Sequence, residues 1–272
     1  LPPQLPPSAI SLGSTNFGNG IPGPEAHRLL DAYVDLGGNF IDTAAVYANW
    51  LPGEKNSSEK TIGRWPARSG KRDGLLIGTK GGHPELTTMH ISRLSPGEIV
   101  ADLDESLRNL QTDRIDIYWL HRDDPSRPVA EIIDTLHSQV RAGKIRNFGC
   151  SNWRAGRIAE AQAYATAQGI RGFVANQMRW SFAAINPAGA GDPTTVAMDD
   201  ETFELHQQTG LAAIPYSSQA GGYFQKLAEG REVRPGQQKV YDSPANRQRA
   251  QRVQQLAGES GLSVSQIVLA WL

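Results

Sequence analysis

Phe40-Ile41-Asp42-Thr43-Ala44-Ala45-Val46-Tyr47 is the stretch that decides how the chain is read. A short apolar run delivers an aspartate, and a tyrosine follows in what reads as a loop. Taken alone, an Asp at a strand end is as readily a turn or cap residue, and a lone Tyr is usually filler. Two later segments end in the same manner. Leu75-Leu76-Ile77-Gly78-Thr79-Lys80 runs into a lysine, and Ile115-Asp116-Ile117-Tyr118-Trp119-Leu120-His121 runs into a histidine. Apolar runs that each end on an ionisable residue are what a parallel barrel with a polar mouth produces.

Working outward, strand and helix alternate. Residues 10–13 read as a first strand. Pro24 then opens a helix carrying Leu29, Leu30, Tyr33 and Val34 at helical spacing, stopped by Gly37-Gly38. Residues 39–42 and 75–80 are the second and third strands, with a short helix at 58–63 between them. Ser95-Pro96-Gly97-Glu98 is a capping box with proline at the first helical position. The apolar stripe Ile99, Val100, Leu103, Leu107 and Leu110 follows it. A fourth strand ends at His121, and Val129, Ile132, Ile133, Leu136 and Val140 form the next stripe. Strands at 145–151, 172–177 and 211–216 alternate with helices at 154–168 and 199–209, and helical sequence resumes near Asn246.

This pattern predicts an α/β fold, a (β/α)8 TIM barrel of parallel strands in a single domain, residues 1–272, behind a Pro-rich leader of residues 1–9. The 272 residues agree with the ~250 typical of that fold. A doubly wound open sheet is the alternative, and it would be expected to carry a Gly-x-Gly-x-x-Gly phosphate turn after an early strand. The sequence stops at Val268-Leu269-Ala270-Trp271-Leu272, inside helical sequence and with no eighth strand. An open barrel would leave strand edges unpaired, so the reading expects these residues to be part of a longer protein.

Composition sets the function classes aside or keeps them. The chain is 39% hydrophobic and 20% charged, with a net charge of −1, which predicts no strong attraction to nucleic acid or anionic membrane. Arg247, Arg249 and Arg252 read as a solvated helix face. The one cysteine, Cys150, reads as a buried free thiol in a reducing compartment. No apolar run approaches the ~18 residues of a membrane span, and Leu1-Pro2-Pro3-Gln4-Leu5-Pro6-Pro7 lacks the features of a signal peptide. A cytoplasmic protein, monomeric or weakly self-associating and without a metal, is the expectation.

If the second, third and fourth strands are neighbours, Asp42, Lys80 and His121 emerge together beside Tyr47. The bland alternative is a structural ion pair with mouth residues around it. The combination nevertheless has a definite chemical use. A phenol of pKa near ~10 gives up its proton reluctantly. A lysine ammonium nearby stabilises the phenolate, and a carboxylate keeps that lysine charged and in place. The histidine can hold a carbonyl oxygen. No residue supplies a hydride, so a nicotinamide cofactor would carry it. A Schiff-base aldolase using Lys80 would need a neutral lysine, which Asp42 opposes.

Gly38-Asn39-Phe40-Ile41-Asp42-Thr43-Ala44, Tyr47 and Ser58-Glu59-Lys60-Thr61-Ile62-Gly63 resemble the signature of the aldo-keto reductases. Gly78-Thr79-Lys80, Leu120-His121 and the run from Gly143 to Asn152 also match, in the family's order. The resemblance, which runs from Gly13 to the last residue, implies NADPH-dependent reduction of aldehydes or ketones. Tyr47 would be the general acid, Lys80 and Asp42 its tuning pair, and His121 the group orienting the carbonyl. It further implies that Ser151, Asn152 and Gln177 hold the nicotinamide carboxamide and that Tyr216 stacks on its ring. Ser217, Gln219 and Gly221 would lie along the pyrophosphate, and Ser14 and Thr15 would form a cofactor-adjacent turn. Three departures stand out: a long segment between Tyr47 and Ser58 carrying Trp50, a serine in place of the usual proline within Tyr216–Gly222, and the absence of the eighth strand and the adenine and 2′-phosphate contacts after it, which leaves NADH open as cofactor. Trp50, Trp153 and Trp180 are candidate walls for a flat or sugar-like substrate. The competing function is a cofactor-sensing regulatory subunit with little turnover.

Overall fold

The computed structural model describes residues 6–65, 70, 72–189 and 191–272, so residues 1–5 of the expected leader lie outside the described residues. The chain divides into two compact units, Leu1–Ala175 and Asn176–Leu272. The first runs β1 (Leu12–Gly13), α1 (Gly23–Asp35), β2 (Phe40–Asp42), α2 (Ser57–Gly63), β3 (Leu76–Gly81), α3 (Pro96–Asn109), β4 (Ile115–Leu120), α4 (Val129–Arg141), β5 (Ile145–Ser151) and α5 (Ala155–Ala167). Each of these strands pairs in parallel with the next.

The second unit takes up β6 (Ala175–Gln177), whose first residue lies at the boundary, and continues through α6 (Asp200–Thr209) and β7 (Ala212–Ala213). Then come α7 (Tyr223–Ala228), α8 (Pro235–Tyr241), α9 (Pro244–Ser260) and α10 (Val264–Ala270). Ile214 donates its N–H to the Asn176 carbonyl and Tyr216 to that of Met178, both at 2.9 Å. Strand order follows chain order from β1 to β7. Parallel strands in that order, alternating with helices, are the TIM-barrel fold with seven of its strands among the described residues. A doubly wound sheet would reverse order at a switch point, and none occurs.

The glycine spacing expected of that alternative is nonetheless present, at Gly18, Gly20 and Gly23. The structure gives the first two a packing role. A Cβ on Gly18 would stand 2.7 Å from the Ser57 Cβ, and one on Gly20 would stand 3.0 Å from Leu51. The loop is thus seated on α2 and on the segment after β2.

The capping box forms as read: the Ser95 hydroxyl accepts from the Glu98 N–H, and the Glu98 carboxylate accepts from the Ser95 N–H. Some boundaries differ. The run at 211–216 forms a strand only at Ala212–Ala213, and in α1 the buried residues are Ala26 and Leu30, with Leu29 exposed. Helices α7 and α8 fall in sequence read as loop. They are six and seven residues long, too short to show a helical period. Burial of Tyr223, Phe224 and Tyr241 in the second unit's apolar cluster holds them instead.

Inside the first unit, packing rests on size complementarity along the register. Trp119 of β4 is fully buried and aligns with Lys80 on one side and Gly149 on the other. A Cβ on Gly149 would meet the indole at 2.4 Å, and one on Gly78 would meet its Nε1 at 2.9 Å. Two glycines therefore make the room that one tryptophan fills.

Candidate active site

Register brings the ionisable strand ends onto one face. Asp42 aligns with Gly78, so Lys80, two residues on, points to the same side and is a diagonal neighbour within reach of a long side chain. Lys80 aligns with Trp119, so His121, two residues beyond Trp119, shares that side too. The His121 N–H donates to the Gly81 carbonyl at 2.8 Å, which carries the pairing one residue past the strand. Tyr47 arrives by a turn: Ala45 donates to the Lys80 carbonyl at 3.1 Å, and Tyr47 to that of Ala44 at 3.1 Å.

The four side chains meet. Lys80 Nζ donates to Asp42 Oδ2 at 2.5 Å and to the Thr43 carbonyl at 2.7 Å, and it lies 4.7 Å from the centre of the Tyr47 ring. The Tyr47 and His121 rings pack edge to face with centres 5.8 Å apart. Lys80 is 2% exposed. Burial pulls its pKa down, but the Asp42 carboxylate, and Tyr47 after it, outweigh burial and hold the ammonium above its ordinary value. Removing either partner of such a buried pair strands the other charge, at about 3–5 kcal/mol. His121 goes the other way. Burial first, then the positive field of Arg122, His83 and Lys80, hold its imidazole well below the usual histidine value. It is neutral at pH 7, with one ring N–H to offer. Its Nδ1 is buried without a hydrogen-bond partner.

A cavity of about 440 Å³ adjoins Lys80 and is lined mainly by polar groups, among them Asn49, Lys55, His83, Thr87 and Glu105. Of the tryptophans read as walls, Trp50 is 48% exposed and packs edge to face on Tyr47 at 6.4 Å. Trp153 is not a wall. It is fully buried, donates its indole N–H to the Arg122 carbonyl at 3.1 Å and packs on Phe173 at 5.0 Å. Trp180 packs on Phe203 and Trp271 within the second unit.

Ser14 is fully buried and committed to structure: its N–H and its hydroxyl each donate to the Asp42 carbonyl at 3.0 Å. The hydroxyls of Ser14 and Thr43 each lie 2.8 Å from that of Ser58, which also donates to the Ser14 carbonyl. Thr15 follows, exposed. Ser151 and Asn152 close β5 in the same unit. Asn152, at a left-handed φ of 61°, donates to the His121 carbonyl at 3.2 Å and to the Ser151 hydroxyl at 3.0 Å. It thus ties the end of β5 to the end of β4. Gln177, Tyr216, Ser217, Gln219 and Gly221 belong to the second unit. Gln177 is buried at the end of β6, and the loop after Tyr216 takes left-handed φ at Ser217, Ala220, Gly221 and Gly222.

Three features escaped the sequence reading. His83 packs its ring on His121 with centres 4.8 Å apart, and its Nδ1 lies 2.6 Å from the Pro84 carbonyl, so that nitrogen carries the proton. Its position just past the end of β3 was the available signal. Glu59, in the motif beside Ser58, is fully buried and accepts from Thr79 at 2.6 Å and Asn109 at 2.9 Å, while burial raises its pKa. Arg179, two residues past Gln177, carried no pattern of its own. Among the described residues, no group of His, Cys, Asp and Glu is arranged to hold a metal ion, and no helix is long and apolar enough to cross a membrane.

Residues 9–272 match the model of the Aldo/keto reductase family. Norsolorinic acid reductase stcV of Emericella nidulans is 29% identical over 97% of the chain and 67% of its own length. Aldo-keto reductase ausK of the same organism is 30% identical, over 97% of the chain and 66% of its own length. Uncharacterized oxidoreductase YrpG of Bacillus subtilis is 30% identical over 97% of the chain and 79% of its own length. The chain spans about two thirds of the length of the first two relatives.

Proposed function

We infer, for a chain that belongs to the Aldo/keto reductase family, that it reduces the carbonyl group of a small aldehyde or ketone with NADPH. The family's oxidoreductases work with a nicotinamide cofactor, and the preference for NADPH over NADH is part of this proposal. The observation that carries the reading is the buried Asp42–Lys80 pair, 2.5 Å apart, with its ammonium 4.7 Å from the Tyr47 ring and a neutral His121 against the same ring.

The hydride for the carbonyl carbon would come from a bound nicotinamide. The residues do the rest. Tyr47 delivers the proton to the carbonyl oxygen, and Lys80, kept charged by Asp42, stabilises the phenolate as it forms. His121 is uncharged and its Nδ1 has no acceptor, so the ring proton belongs on Nε2, where it can donate to the substrate oxygen. Ser151, Asn152 and Gln177 would hold the carboxamide and Tyr216 the ring face. The left-handed residues of that loop, Ser217, Ala220, Gly221 and Gly222, suit the close approach of a phosphate-bearing group. Trp50 would be a flat wall beside Tyr47, and the polar cavity beside Lys80 favours a substrate carrying hydroxyl groups. No observation favours a regulatory subunit without turnover.

The test compares Tyr47→Phe with wild type, by fluorescence titration of NADPH and by cofactor oxidation with a panel of aldehydes, ketones and keto-sugars. Loss of the acid should lower kcat about 10²- to 10⁴-fold with cofactor affinity unchanged. Equal turnover by the two proteins would remove Tyr47 from the mechanism.

A further inference from the structure

We propose that Arg179 is an anion-binding residue that grips a phosphate of the dinucleotide beside the Tyr216 ring. This rests on the cofactor assignment above and adds a residue to it. The main chain of Arg179 is pinned on both sides. Its N–H donates to Val196 and its carbonyl accepts from Met198, each at 2.9 Å, and it bridges Ala197 on one side and Tyr216 on the other. The half-buried side chain extends from that fixed point, with the guanidinium carbon 5.9 Å from the centre of the Tyr216 ring.

What the guanidinium lacks, among the described residues, is a counter-charge. The part-buried Arg72, Arg93 and Arg157 each meet a carboxylate, of Asp116, Asp102 and Asp123. Arg179 meets none among the described residues, and its Nε is shielded from solvent without a hydrogen-bond partner. An unpaired cation with one shielded donor is costly, and the guanidinium's fork of donors is suited to an oxyanion.

The surroundings agree. Burial raises the Tyr241 phenol while the Arg179 charge and the Ser217 side chain lower it, so Arg179 and the start of the loop lie around one ring. The loop's own acceptors are occupied. The Gly221 carbonyl accepts from Gln237 at 2.7 Å and from Lys226 at 3.2 Å, and the Ala220 carbonyl accepts from Gln237 at 3.4 Å. A phosphate in front of Arg179 would therefore meet a loop whose carbonyl oxygens already serve other donors.

The experiment uses the whole chain as wild type, R179Q and R179K, with circular dichroism to verify folding. NADPH is titrated by fluorescence, inorganic pyrophosphate by calorimetry, and reduced nicotinamide riboside, which has no phosphate, serves as the reference ligand. R179Q should weaken NADPH and pyrophosphate about ten- to hundredfold and leave the riboside unchanged, with R179K between the two. Equal NADPH affinity in folded R179Q would overturn the proposal. So would an equal loss for the riboside, or an effect confined to the KM of carboxylate-bearing substrates. Should R179Q fail to fold, R179K against wild type with pyrophosphate still decides, because lysine keeps the charge but not the fork. A wild-type protein that binds no dinucleotide defeats the reductase reading instead, and the pyrophosphate titration then judges Arg179 alone.

Discussion

At His121 the same burial that prepares a neutral hydrogen-bond donor also makes stability depend on pH. Its folded pKa lies well below the usual 6.5, with burial the first cause and Arg122, His83 and Lys80 adding to it. The unfolded chain therefore takes up a proton that the folded chain refuses. The contribution is fully present above about pH 6.5 and is lost as pH falls through that value, by about 1.4 kcal/mol per unit. Urea unfolding at pH 7.5 and 5.5 checks this. Wild type should lose more than His121→Asn between the two, by up to about 1.4 kcal/mol, and equal losses would dismiss the account. Lys80 has the opposite sign: its pKa is raised, so its contribution holds below the unfolded value of 10.5 and fades as pH climbs through the folded one. The ion pair is intact wherever the imidazole is neutral and the protein is near neutrality.

Among the elements, α2 does more for the site than its seven residues suggest. Its Ser58 hydroxyl knots the end of β1, through Ser14, to the residue after β2, Thr43, and Glu59 beside it accepts from Thr79 of β3. One helix thus fixes the ends of three strands at the level where Asp42 and Lys80 emerge. Ser58→Ala would leave two buried hydroxyls short of a partner, costing about 1–3 kcal/mol. Ser95→Ala removes only a part-buried cap of α3, at about 1 kcal/mol. Denaturant midpoints of both variants test the ranking, and a Ser58→Ala protein as stable as wild type would show the knot to be dispensable.

On the scale of the whole chain, the first unit's interior has no slack around Trp119. Gly149→Ala would place a methyl 2.4 Å from the indole and 2.7 Å from the Ala175 carbonyl, and the latter is backbone and cannot rotate away. Overpacking of this kind costs about 1–3 kcal/mol or more. Gly143→Ala is the contrasting case: no atom lies within 4 Å of its added Cβ, and only the positive φ of 75° strains it. Thermal unfolding should show the larger loss for Gly149→Ala, and the reverse order would mean that the strand can shift to admit the methyl.

By itself the sequence determined the alternation of strand and helix, the capping box of α3, and the three strand ends bearing Asp42, Lys80 and His121. All of these are local: a period, a cap or an apolar run ending in a charge is written in consecutive residues. Only the tertiary structure decided that Gly18 and Gly20 pack on α2 and its flank, that α7 and α8 are helical, and that Trp153 is core. The same holds for His83 against His121 and for Arg179 with no counter-ion among the described residues. Each of these depends on which atoms far along the chain fill the space beside a residue, and burial and charge pairing between distant segments leave no periodic mark in the sequence.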